Sequence, residues 1–293
     1  MLSKVGIAHN VTRKECIINA LETIKDDIKK KIARKRRVLI KPNLGFINRR
    51  LANTQVEAVS ALLEFLREFY QRPITIAEGS TVGSTNKAFL EFGYHDFIDK
   101  YKIDLVDLNE DSFKSFKIYD GALNKKITIG ISETVLHSDF LISICPMKTH
   151  DSVVVTLGIK NVVVGAIRKS DRSKIHQGPK AINLTLAELA KKLLPDLVVL
   201  DGFEAMEGDG PVYGDLVNFQ VAVVSLDAVA ADSMGALLMG FNPSEIGYLH
   251  YCSQYKLGVS DPLRIVNLGT NYKKLVKSFR PHRSYFQQLD WKI

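Results

Sequence analysis

Three observations predict an α/β fold: a mostly parallel, doubly wound sheet with helices on both faces and an inserted antiparallel hairpin. Short apolar runs of strand length alternate with amphipathic stretches at three- to four-residue spacing. The order strand, helix, strand, helix, strand fills the chain up to Asp107, which calls for right-handed parallel crossovers. Polar residues follow directly after successive apolar runs, where an open parallel sheet places its ligand crevice.

Val5 and Ile7 mark a first strand. Thr12 and Glu15 form a T-x-x-E capping box ahead of one amphipathic helix carrying Ile17, Leu21, Ile24, Ile28 and Ile32. Residues 38–40 read as a buried strand, followed at once by Lys41, Pro42 and Asn43. Thr54 and Glu57 repeat the capping-box pattern before a second helix with Val59, Leu62, Leu63 and Leu66 on one face. A strand at 74–77 ends in Glu78 and Ser80, a helix covers 86–92, and a strand at 103–106 ends at Asp107. Residues 116–131 break this rhythm as a hairpin turning at Asp120-Gly121.

Residues 141–145 resume the parallel series, and Pro146 is expected to end that strand. Residues 168–180 hold too little apolar content to pack and read as a surface loop or lid. A helix at 182–194 and a strand at 197–200 follow, the strand ending at Asp201. The run 201–215, four glycines among five carboxylates, reads as an irregular loop. A strand at 219–224 ends near Ser225 and Asp227, an Ala-rich helix covers 227–239, and 265–268 is an edge strand. No linker or repeat divides the chain, so residues 1–293 are expected to form a single α/β domain. The basic helix at 12–37 and the basic aromatic tail at 264–293 would pack on its body.

The net charge of +8 is concentrated. Residues 25–37 and 264–293 carry +6 each, residues 1–24 carry +1, and residues 38–263 carry −5. Two basic segments allow a nucleic-acid or acidic-surface binding protein, although no aromatic interleaving accompanies the 25–37 run and a solvated helix face is the simpler reading of it. No apolar stretch reaches the roughly 18 residues that span a bilayer, and no signal-peptide pattern opens the chain. With three scattered cysteines, Cys16, Cys145 and Cys252, neither a disulfide framework nor a metal motif is spelled out, and a cytoplasmic location is expected.

The candidate chemistry sits at strand ends. Lys148 and His150 are the candidate catalytic pair, since a buried lysine can lose its proton and a histidine titrates near neutrality. Lys41, Asn43, Glu78, Ser80, Lys160, Asn161, Asp201, Glu207 and Asp209 are candidate substrate-binding residues. Gly158, Lys160 and Asn161 open a helix whose amides would suit an anion, without the P-loop pattern that a nucleotide requires. Glu207 and Asp209 could orient a substrate or a divalent cation, though EF-hand spacing is absent.

Six motifs stand in one order: KPNL at 41–44, AEGS at 77–80, PMKTH at 146–150, GIKNVVVG at 158–165, DGFEAMEGDGPVYGD at 201–215 and SLDAVAAD at 225–232. This set resembles the domain of unknown function 362 family over about 38–240. The family has no settled reaction; its larger members often carry a ferredoxin-like iron–sulfur segment. The three scattered cysteines here supply no such ligands, so no iron–sulfur cluster is expected. A fainter similarity links His150, Gly158, Lys160 and Gly165 to the N-terminal domain of nickel-pincer lactate racemases. It implies a lysine-anchored metal cofactor, while Ile159 stands where that family has a glycine.

Together these features predict an enzyme that binds a small anionic metabolite, a carboxylate or phosphate ester. Lys41, Asn43 and Lys160 would hold the anion, and Lys148 with His150 would move protons. The alternatives are a binding protein for nucleic acid or acidic surfaces, and a racemase-like or redox-related enzyme with a lysine-anchored or metal cofactor.

Overall fold

A computed structural model of the chain describes residues 2–292. Its elements run β1 (Ser3–His9), α1 (Arg13–Glu22), α2 (Lys25–Ile32), β2 (Val38–Lys41), α3 (Val56–Arg67), β3 (Ile74–Glu78), α4 (Thr85–Glu91), α5 (Phe97–Tyr101) and β4 (Ile103–Asp107). Then come β5 (Phe113–Ile118), β6 (Ile127–Ser132), α6 (Glu133–Leu136), β7 (Phe140–His150), β8 (Val154–Thr156), α7 (Gly158–Gly165), α8 (Pro179–Leu193) and β9 (Leu197–Glu207). The last are β10 (Asp215–Ser225), α9 (Ala228–Leu238), α10 (Gly247–Gln254), β11 (Ile265–Gly269) and α11 (Tyr285–Gln288). No helix among the described residues is long and apolar enough to cross a membrane.

The main sheet has the order β11-β1-β10-β9-β7-β2-β3-β4, with β8 paired to β7. Every pairing along that order is parallel except those of β10, which runs against both β1 and β9. The predicted hairpin exists as β5–β6, longer than expected and in a sheet of its own. Alternation along each strand splits the core in two. Leu39, Val198 and Leu200 join the layer of α7, α8 and α9, whereas Val38, Ile40 and Val199 join that of α1, α3 and α5.

Several sequence expectations are corrected here. The first helix is two helices, broken at Thr23 and Ile24, and Thr12 caps the first through Glu15 N as expected. Thr54 caps nothing. Its hydroxyl receives Asn43 N–H at 2.7 Å and donates to Ile144 O at 3.0 Å, and Gln55 is the N-cap position of α3. Pro146 does not end β7. It pairs opposite Asp201, and the register with β9 slips between Pro146 and Lys148, a local irregularity that accommodates the missing N–H.

The acidic glycine run is regular for half its length. β9 continues through Glu207, and only residues 208–214 form the turn into β10. Gly202 makes this continuation feasible, because a Cβ there would stand 2.6 Å from Met147 Sδ and 2.9 Å from Val221 O. Since β10 is reversed, Ser225 and Asp227 lie at the opposite edge from the other strand ends. Asp227 there caps α9 through Ala230 N and receives Val259 N–H. Nor is 168–180 a loose lid: residues Lys169–Ile175 form a 3-10 helix with Asp171, Arg172 and Ile175 buried.

Candidate active site

The carboxyl ends of β2, β3 and β7 converge with the start of α7, and side chains from all four line a chamber of about 100 Å³. Lys41, Asn43, Glu78, Lys148, Lys160 and Asn161 meet there, joined by Thr156 and Arg172. Pro211, from the β9–β10 turn, closes one side. The chamber shares Lys160, Arg172 and Pro211 with an outer cavity of about 490 Å³ that His150, Asp151, His176, Asp209, His282 and Arg283 line.

Lys41 is already paired. Its ammonium donates to Glu78 Oε2 at 2.7 Å and to Pro42 O at 2.8 Å, both partners of the ion pair being buried. Burial lowers the Lys41 pKa, and the Glu78 carboxylate works against that. Glu78 is held in turn by Leu44 N–H and Gly79 N–H. Gly165 lets the lysine through, since a Cβ there would lie 2.2 Å from Lys41 Cε. Asn161 ties the strands together, donating to Lys41 O and Ser143 Oγ while accepting from Asn43 Nδ2 at 3.0 Å.

Lys148 and Lys160 differ from Lys41. Lys148 donates to Ala52 O at 2.6 Å, and burial drops its pKa to about 7. Lys160, 8% exposed, has no hydrogen bond or ion pair among the described residues; burial takes its pKa to about 8. Arg172 spends its N–H groups on neutral acceptors, Ile167 O, Gly79 O, Thr81 Oγ1 and Gly165 O. Three buried cations therefore face the chamber without a carboxylate in direct contact, and Asp151 acts on Lys160 from beyond ion-pair distance. A lysine near neutrality can hold a negative charge or exchange a proton, according to its state.

The start of α7 does not serve an external anion. Asp232 of α9 takes Gly158 N–H at 2.8 Å and Ile159 N–H at 3.0 Å, and also Tyr248 O–H at 3.2 Å. Burial raises the Asp232 pKa to about 7 against the pull of those three donors. The expected anion at these amides is thus a side chain of the protein, which anchors the helix that carries Lys160.

A family model described as domain of unknown function 362 matches residues 38–237. The chain belongs to the domain of unknown function 362 family. A thylakoid-associated protein of Synechocystis sp. is 26% identical over 236 residues, covering 76% of this chain and 68% of its own. A solved structure of the lactate racemase apoprotein from Thermoanaerobacterium thermosaccharolyticum aligns with TM-score 0.48 and 14% identity, over 80% of this chain and 55% of that one.

Within this family member, the predicted residues separate into three groups. Lys41, Asn43, Glu78, Lys148, Lys160 and Asn161 share the inner chamber. His150 and Asp209 line the outer cavity, where Asp209 faces His282 at 3.6 Å and Arg283 at 3.5 Å. His150 lies with Asp151 and Ser152, and burial with the nearby Lys160 ammonium lowers its pKa to about 3. It is neutral at physiological pH, so of the expected catalytic pair Lys148 alone titrates near neutrality.

Ser80, Asp201 and Glu207 line neither cavity. Ser80 donates to Leu44 O and fixes the turn after β3. Strand alternation sends Asp201 to the α1 layer, where Arg13 binds it at 3.0 Å together with Glu204 and Glu57. Glu207 accepts from Arg280 N–H. No group of three His, Cys, Asp or Glu among the described residues could hold a metal ion, and cations dominate the chamber. The residues present do not fit a divalent cation site. Sequence reasoning missed Arg172 and Thr156; both were polar residues in segments read only for strand or loop content.

Proposed function

We propose that the chain is an enzyme for a small anionic metabolite, a carboxylate or phosphate ester. Its charged head would enter the inner chamber, and its body would occupy the outer cavity. One observation carries this reading: Lys148, Lys160 and Arg172 are buried around one chamber and none of them has a carboxylate in direct contact, Asp151 acting on Lys160 only from beyond ion-pair distance. Buried charge without a partner is expensive, so an arriving anion gains from all three cations at once. Lys148, poised at about 7, would take or give the proton at the reacting atom.

A thermal-shift screen of carboxylates and phosphate esters, followed by product analysis, tests this. A binding compound should raise the melting temperature of the wild type, and Lys160→Met and Lys148→Met should abolish that rise. Product should be absent with Lys148→Met. Equal shifts in all three proteins would sink the assignment.

The unpaired Lys160 amine also favours a second reading, an organic cofactor attached to that side chain. Intact-mass measurement of purified protein decides it. An adduct present in the wild type and missing from Lys160→Met supports attachment; a mass equal to that of the bare chain removes it.

A further inference from the structure

Thr156 is 3% exposed, and its hydroxyl has no hydrogen-bond partner among the described residues. Two other buried side-chain oxygens share that condition, on Thr185 and Ser233, but neither lines the inner chamber or the outer cavity. Thr156 does line the inner chamber. In the β7–β8 register it stands directly opposite Lys148. Residues opposite one another in an antiparallel pair project to the same side of the sheet. A buried hydroxyl with nothing to bond is costly, and native structures leave few of them unless water or a ligand supplies the partner.

The charges around it favour one kind of ligand. Glu78 neutralises Lys41, which leaves Lys148 and Arg172 with neutral acceptors and Lys160 with no hydrogen bond, only the Asp151 charge acting on it from beyond ion-pair distance. A singly charged carboxylate would offset one of those three cations, whereas a phosphate monoester carries nearly two charges at neutral pH and offers three terminal oxygens. The volume of about 100 Å³ suits such a head group and not a whole metabolite.

Building on the anion-binding reading above, we propose that the chamber receives the phosphate group of a phosphate ester and that Thr156 Oγ1 donates to one of its oxygens beside Lys148. Thr156 is then a ligand-binding residue whose loss should weaken the complex and not the fold. Valine has nearly the same shape as threonine, so Thr156→Val removes the hydroxyl alone.

Calorimetric titration with inorganic phosphate and with acetate, just below neutral pH, tests this in the full chain. The wild type should bind phosphate more tightly than acetate. Thr156→Val should lose about tenfold in phosphate affinity, the size of one hydrogen bond to a charged group. Its ligand-free melting temperature should equal or exceed that of the wild type, because an unpaired hydroxyl has gone. Thr156→Ser should bind phosphate nearly as the wild type does. Unchanged phosphate affinity in Thr156→Val overturns the role of Thr156, and tighter acetate than phosphate overturns the phosphate assignment. If the wild type binds neither anion at millimolar concentration, the anion-binding reading falls as well.

Discussion

Lys148 gives the chamber two pH dependences of opposite sign. Its folded pKa, about 7, lies below the unfolded lysine value of about 10.4. Between those values the unfolded chain holds more protons than the folded one, so this group's contribution to stability rises with pH. Lys148→Met removes the cost of burying the ammonium. The variant should melt above the wild type below pH 7, and the gap should close as pH climbs towards 10. Anion affinity runs the other way. As Lys148 and then Lys160 lose their protons, at about 7 and about 8, the chamber loses positive charge, and sulfate, whose own charge is fixed over this range, should bind more weakly. Melting curves and titrations across this range check both signs, and a pH-independent affinity would contradict the assignment of these lysines to the anion.

At the scale of elements, α7 matters most, because it carries Lys160 and Asn161 into the site and depends on Asp232 at its start. Asp232→Ala would strand two buried amides, a loss of about 3 kcal/mol or more. Chemical denaturation should show that loss, and hydrogen exchange at residues 158–161 should quicken more than in β2. The element order and the strand-end residues Lys41, Glu78 and Lys148 were legible because hydrophobic periodicity and topology rules act locally. Asp201 was misplaced for want of a count along β9: the two-residue period sends it to the α1 layer and Arg13. The reversal of β10 escaped too, since a strand's direction depends on its partners and not on its own side chains. Pro146 and Gly202 punctuate loops elsewhere, but here long-range pairing with β9 and β10 overrode local preference.

Across the whole molecule, the basic run at 25–37 and the chamber lie at opposite ends of β2. Lys29 and Lys30 on α2 are exposed, as are Arg34, Arg36 and Arg37, and they precede the first residue of β2, while Lys41 ends that strand inside the chamber. Four residues of strand span about 13 Å, beyond the screening length of about 8 Å at physiological salt. Replacing Arg34, Arg36 and Arg37 by Ala should therefore leave phosphate affinity within about twofold of wild type, whereas binding to any polyanionic surface should fall and lose salt dependence. Titration at two ionic strengths separates these effects. The reversed β10 has a consequence of another kind. Parallel strands lay down the cationic floor, but a hairpin pinned at Glu207 and Asp215 supplies Asp209 and Pro211 over it. Floor and roof thus come from separate parts of the chain: Val212 and Tyr213 line the outer cavity from the turn, and exchanging them would reshape its mouth while the lysines beneath keep their places.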